Sequence, residues 1–304
     1  MAPSAENNGS AAGQSKVLEP GVYVPTVAFF TADDAVDVET TKKHAVRLAE
    51  AGVTGIVTHG SNGEAVHLSH EERRQATRAT RDALDAAGYA SVPVIVGCGA
   101  QSTRETIELC RDAAESGGSH VLVLPPAYYG GLLTTELIKE HFRAVADASP
   151  IPVLIYNYPG ACSGLDLSSD VILELAGHPN ICGTKLTCGN TGKLARIVAD
   201  CPEGFFVGGG SADFILQGHA VGANGTISGL ANLCPRACVR IMELADEGRW
   251  KEARQLQAQV AAGLAQLGHQ GMGQVQRRAA QARLAYLQRP QRQRPRSEER
   301  RVGK

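Results

Sequence analysis

Between residues 21 and 247 the chain alternates short apolar runs with amphipathic stretches eight times, and this alternation limits its fold more than any other feature. The apolar runs are GVYVPTVAFF (21–30), GIVTHG (55–60), PVIVGCG (93–99), HVLVLPP (120–126), PVLIYNYP (152–159), ICGTKLT (181–187), FFVGGG (205–210) and NGTISGLA (224–231). Most are rich in Val, Ile or aromatic residues, and Gly or Pro bounds them, as for buried strands. The stretches between them read as helices. In 38–51, for example, Ala45, Val46, Leu48 and Ala49 stand at helical spacing. Two helices open on the pattern of a capping box, Ser69 before Glu72 and Ser102 before Glu105.

Strands that are apolar on both faces and separated by helices imply a parallel sheet covered on both sides. Eight such units fit an α/β fold of one kind, the closed (β/α)8 TIM barrel, which runs to about 250 residues as a single domain. An open doubly wound sheet fits less well, because the first strand leads into TADDAVDVE and not into a GxGxxG turn. Residues 249–267 are amphipathic and read as a C-terminal helical segment. The expected organisation is a disordered leader at 1–18, the barrel at 19–247, the helical segment at 248–288 and a basic disordered tail at 289–304.

A net charge of -1 favours neither nucleic acid nor a membrane surface as partner. The Arg/Gln-rich end from residue 277 could be an arm for an anionic partner, but a solvated end is the preferred reading. No run approaches the ~20 apolar residues of a membrane span. The eight cysteines are scattered, several of them in apolar runs, which suggests reduced, buried thiols. Cys234 and Cys238 form a CxxxC pair with no second ligand pair, so no zinc site is expected. The first 18 residues have no apolar core and no Arg, unlike a signal or transit peptide. Together these features read as a cytoplasmic chain.

In a barrel of this kind the chemistry sits at the C-terminal ends of the strands. Those ends carry His59, Ser61, Asn62 and Glu64 after the second strand and Tyr128 and Tyr129 after the fourth. Tyr156 and Asn157 end the fifth, Lys185 stands in the sixth between Thr184 and Thr187, and Ile227 and Ser228 lie on the eighth. Burial disfavours a charged amine, and a neutral amine can attack a carbonyl. Lys185 therefore reads either as a nucleophile or as a structural lysine, paired with a carboxylate or reaching the surface. The glycine-flanked Ser61-Asn62 turn can offer backbone N–H groups to a small carboxylate. An amine beside a carboxylate pocket suits a 2-oxo acid, and a nearby phenol can move the protons. No cluster of His and carboxylates accompanies them, which disfavours metal-assisted hydrolysis. His59 reads as a satisfied strand-end histidine.

Tyr156-Asn157-Tyr158-Pro159, Gly183-Thr184-Lys185 and Gly60-Ser61-Asn62-Gly63-Glu64, in this order and spacing, resemble the dihydrodipicolinate synthase/N-acetylneuraminate lyase family. The resemblance covers residues 21 to about 265. It implies a class I aldolase that handles pyruvate through a covalent imine, with no further cofactor and no metal. By position Lys185 matches the imine-forming lysine and Tyr156 the catalytic tyrosine. Ser61 and Asn62 match the carboxylate-binding pair, with the Ser61 hydroxyl in the proton relay. Tyr129 matches a tyrosine lent across a dimer interface, and Ile227 a position whose backbone lines the pyruvate pocket. The resemblance also implies a homotetramer built as a dimer of dimers.

Within the family, GSNGE and the YYGG loop resemble the branches that cleave 4-hydroxy-2-oxoglutarate or 2-keto-3-deoxy sugar acids to pyruvate plus glyoxylate or glyceraldehyde. The lysine-pathway branch carries an Arg two residues after the YNxP proline, where this chain has Ala161. Two alternatives stay open at this point, a condensing or dehydrating hydro-lyase and a catalytically silent binder of 2-oxo acids.

Overall fold

The computed structural model describes residues 17–270. Eight parallel strands close into a barrel in which each pairs with the next in sequence and the last with the first. They are β1 (Gly21–Pro25), β2 (Gly55–Thr58), β3 (Val94–Gly97), β4 (His120–Val123), β5 (Val153–Asn157), β6 (Ile181–Leu186), β7 (Phe206–Gly209) and β8 (Gly225–Ile227). The helices between and after them are α1 (Val38–Glu50), α2 (His70–Ala86), α3 (Thr103–Glu115), α4 (Thr135–Ala148), α5 (Ser169–Ala176), α6 (Thr191–Asp200), α7 (Ile215–Ala220), α8 (Pro235–Asp246) and α9 (Trp250–Gln270). This is the expected (β/α)8 TIM barrel with a C-terminal helix. None of the described helices is long and apolar enough to cross a membrane.

Side chains alternate along each strand, and the two sets form two cores. Tyr23, Val57, Ile95, Leu122, Leu154, Phe206 and Ile227 fill the barrel interior. Val22, Val24, Ile56, Val94, Val121, Val153 and Ile155 face outward beneath the helices. Each such side chain contributes about 1.5–3 kcal/mol by leaving water. Leu18, which the sequence reading put in the leader, is buried and packs into the inner core. Residues 1–16 lie outside the described residues, as do the basic tail and the end of the helical segment.

Several strands stop short of their apolar runs. β1 was expected to reach residue 30 but ends at Pro25, whose carbonyl accepts from the Asn232 and Asn62 side chains at 2.8 and 3.5 Å. Side chains thus take the carbonyl at the strand's end, Thr26 N still donates to Val57 O at 2.9 Å, and the chain then turns back so that Phe30 bridges Val36. Helix starts are held by caps. Asp37, Ser69, Thr134, Ser168 and Asn190 each accept a first-turn N–H, a device worth about 1 kcal/mol each. The Ser69–Glu72 capping box is complete. At Ser102 only half of it forms, because the Glu105 carboxylate turns to His70 Nε2 at 2.7 Å. The long α9 docks on the barrel through Gln257, which accepts from Leu216 N and donates to Ala212 O at 2.9 and 2.7 Å.

Candidate active site

Lys185 reaches the barrel interior because of an irregularity in β6. Val153 faces Ile181, but the next residue, Leu154, faces Gly183, so Cys182 is an extra residue in the ladder. Ile181 belongs to the outer core. With strict two-residue alternation residue 185 would share its face, under the helices. The bulge shifts the phase by one residue and sets Lys185 opposite Tyr156. There Nζ lies 4.1 Å from the centroid of the Tyr156 ring. Both side chains are buried, Lys185 at 3% exposure.

Among the described residues three lysines are buried, and two have carboxylate partners. Lys139 binds Glu136 and Glu174 at 2.7 and 2.8 Å, and Lys193 binds Asp166. For Lys185 Nζ the structure has no hydrogen bond or ion pair among the described residues, only the face of Tyr156. The structural alternative, a lysine paired with a carboxylate or reaching solvent, is therefore not what is found. Lys193 instead belongs to a brace. Asp166 accepts from it and from Asn157 Nδ2 at 2.7 Å, and Asn157 Oδ1 accepts from Leu167 N at 3.0 Å. Burial alone would raise the Asp166 carboxyl, but the Lys193 and Asn157 hydrogen bonds outweigh it and hold it below its ordinary value. The brace ties the end of β5 to α6 and leaves Tyr156 and Lys185 outside it.

Ser61 opens a short 3-10 turn, Ser61–Gly63, at the end of β2. The turn is entered and left by left-handed residues, His59 at φ 54° and Glu64 at φ 52°, a conformation uncommon for side-chain-bearing residues. His59 is buried, and its Nε2 lies 2.8 Å from Arg73 O and 2.9 Å from Thr77 Oγ1. Burial, and secondarily the nearby Arg73 charge, hold this imidazole down at about 3. It is a neutral brace held through Nε2, and the expectation of a satisfied histidine holds for that nitrogen only, because Nδ1 is buried with no partner among the described residues. Glu64 pairs with His67 at 3.0 Å and braces the same loop.

A cavity of about 330 Å³ opens over this turn. Ser61, Gly60, Tyr156, Gln101, Ala161 and Cys162 are among its lining residues. Ser61 and Tyr156 thus share one cavity at the mouth, Lys185 touches it through the Tyr156 ring without lining it, and Asn62 follows Ser61 in the same turn. Ile227 is enclosed in the barrel interior, paired with Tyr23 of β1, and is not among the residues that line the cavity. Tyr129 stands apart. It is 66% exposed, packs edge-on against Tyr128 with ring centroids 4.9 Å apart, and does not line the cavity. Gln101, Cys162 and the glycines of β3 were not singled out from the sequence. Gln101 sits in an ordinary-looking GAQST turn, and no local pattern marks it.

The model of the dihydrodipicolinate synthetase family matches residues 19–276. A protein of Emericella nidulans named "Probable 4-hydroxy-2-oxoglutarate aldolase, mitochondrial" is 64% identical over 247 residues, covering 81% of this chain and 80% of that one. An L-threo-3-deoxy-hexylosonate aldolase of Hypocrea jecorina is 48% identical, covering 81% of each. The crystal structure of a dihydrodipicolinate synthase family protein from Coccidioides immitis superposes with a TM-score of 0.75 at 39% identity, covering 81% of this chain and 78% of that one. One expectation is corrected by these relatives. The cytoplasmic reading is overturned by the mitochondrial name of the Emericella protein. All eight cysteines are free thiols, but free thiols report a reducing environment and do not say which compartment supplies it. With a family match across most of its length and these identities, the chain belongs to the dihydrodipicolinate synthetase family.

Proposed function

We propose that the chain is a class I aldolase that cleaves a 4-hydroxy-2-oxo acid or a 2-keto-3-deoxy sugar acid to pyruvate and an aldehyde. The enzyme is a carbon–carbon lyase, as its aldolase relatives are by name. Lys185 Nζ attacks the C2 carbonyl and, after loss of water, forms an iminium. The iminium is an electron sink. The C4 hydroxyl gives up its proton, the C3–C4 bond breaks, the aldehyde leaves and the electron pair moves into an enamine. Protonation at C3 and hydrolysis of the imine release pyruvate and restore the amine. No external cofactor takes part in this sequence.

The roles follow from position. Tyr156, in contact with Nζ through its ring, moves protons at the imine and the leaving oxygen. The Ser61-Asn62 turn holds the substrate carboxylate, Ser61 and Tyr129 continue the relay, and the Ile227 backbone closes the pocket. Tyr129 lies off its own chain's cavity, so we assign it to the site of a second copy in a dimer, within a dimer of dimers. The exposed Tyr128, Tyr129 and Leu132 suit such a contact. The name of the Emericella relative supports a mitochondrial location. A dehydrating hydro-lyase is less well served, because Ala161 lines the cavity where the lysine-pathway enzymes carry an arginine.

One observation carries the reading. Of the three buried lysines among the described residues, Lys185 has an aromatic face and no carboxylate beside it. Borohydride reduction in the presence of pyruvate, followed by peptide mapping, tests it. A stable pyruvyl adduct on Lys185, absent in Lys185→Ala, is expected. An adduct on Lys193, or none at all, removes the assignment.

A further inference from the structure

We infer that Gln101 is the positioning residue for the loop that carries Tyr129. This rests on the proposed role of Tyr129 in the proton relay. β4 ends at Val123, and the chain then passes through Pro125 and Pro126, which have no N–H to tie down. The first backbone donors after the prolines belong to Ala127 and Tyr128. Both donate to a single acceptor, Gln101 Oε1, at 2.8 Å each. Ala127 is buried, so without that oxygen its N–H would be a buried donor with no partner.

The base of this clamp is firm. Gln101 lies between β3 and α3, directly before Ser102, whose hydroxyl accepts from Glu105 N at 3.2 Å and caps the helix. The loop continues from the clamped pair as a turn. Gly130 N donates back to Ala127 O at 3.1 Å, and Leu132 N to Tyr129 O at 2.8 Å. Among the described residues no hydrogen bond holds the Tyr129 hydroxyl, and the aromatic ring paired with its own is that of Tyr128. The place of the phenol is therefore set by the backbone, and the two bonds to Gln101 anchor that backbone where it leaves the barrel. Gln101 also lines the cavity shared by Ser61 and Tyr156. It thereby couples the site of its own chain to the tyrosine offered outward.

The test compares Gln101→Met, which keeps the length and removes the acceptor, with Gln101→Glu, which keeps an oxygen for both N–H groups. Full-length protein is used, and a retained cooperative thermal transition verifies folding. In Gln101→Met, amide hydrogen exchange at residues 127–129 should accelerate about 10-fold or more. Its kcat should fall about 10- to 100-fold at nearly constant KM, as expected for a misplaced group, and the borohydride adduct on Lys185 should still form. Gln101→Glu should keep exchange at residues 127–129 within about 3-fold of the parent. Unchanged exchange in Gln101→Met, or equally accelerated exchange in both variants, overturns the clamp. Faster exchange with unchanged kcat upholds the clamp and removes Tyr129 from the relay. Absence of the Lys185 adduct in the parent protein defeats the aldolase reading and leaves the exchange result standing on its own.

Discussion

A buried ionisable side chain must be matched, neutralised or used; this barrel does the first two, and the third is the role proposed for Lys185. Lys139 and Lys193 are matched by carboxylates. His59 and His141 are kept neutral. Burial lowers His141 to about 4, and burial together with Arg73 lowers His59 to about 3. A neutral His59 adds no charge of its own beneath the Ser61 turn. The two histidines also contribute to how stability responds to acid. Above about pH 6.5, the ordinary histidine value, both states are neutral and the full stability is present. As pH falls, the unfolded chain takes up protons that the folded chain refuses, until the folded values near 4 and 3 are reached. Each histidine then removes about 1.4 kcal/mol per pH unit. Tm measured from pH 7 to 4.5 should therefore fall, and less steeply in His141→Gln, whose side chain does not titrate. Parallel curves for the two proteins would show that His141 is not held neutral.

At the scale of elements, the eight strand–helix units were legible in the sequence because burial on both faces writes continuous apolar runs and helix caps leave a short polar signature. The placing of Lys185 on the inner face was not. Counting by twos from Ile181 puts it outside, and a bulge has no fixed sequence mark. Its trace here is Gly183. A Cβ at that position would lie 2.6 Å from Phe206 O and 2.8 Å from Phe206 Cβ. The close approach of β6 and β7 at the bulge thus needs a residue with no side chain. Gly183→Ala should destabilise by about 1–3 kcal/mol, the usual cost of overpacking. It should also lower kcat by displacing Lys185 two residues on. Gly263→Ala, on α9 with open space around the new methyl, should be neutral or stabilising by about 0.5–1 kcal/mol. Urea unfolding and steady-state kinetics on both variants make the comparison, and an unaffected Gly183→Ala would mean that the bulge tolerates a side chain.

A single copy of the chain holds Lys185, Tyr156 and Ser61 together but keeps Tyr129 on the outside. No reading of one sequence separates a tyrosine that serves its own barrel from one that serves a neighbour, since both give the same exposed loop. Subunit mixing separates them. A homodimer of Lys185→Ala has no amine, and a homodimer of Tyr129→Phe has amines without the phenol. In a mixed dimer, the site built on the Tyr129→Phe subunit keeps its own lysine and receives an intact tyrosine from the other. Random mixing makes half the dimers heterologous, each with one complete site of two. Denaturing and refolding the two variants together should therefore recover about a quarter of the parent activity, by the symmetry of a twofold dimer. If Tyr129 acts within its own chain, every site in the mixture lacks either the amine or the phenol. The mixture then shows only the average of the two defective proteins, and the assignment of Tyr129 to the neighbouring site fails.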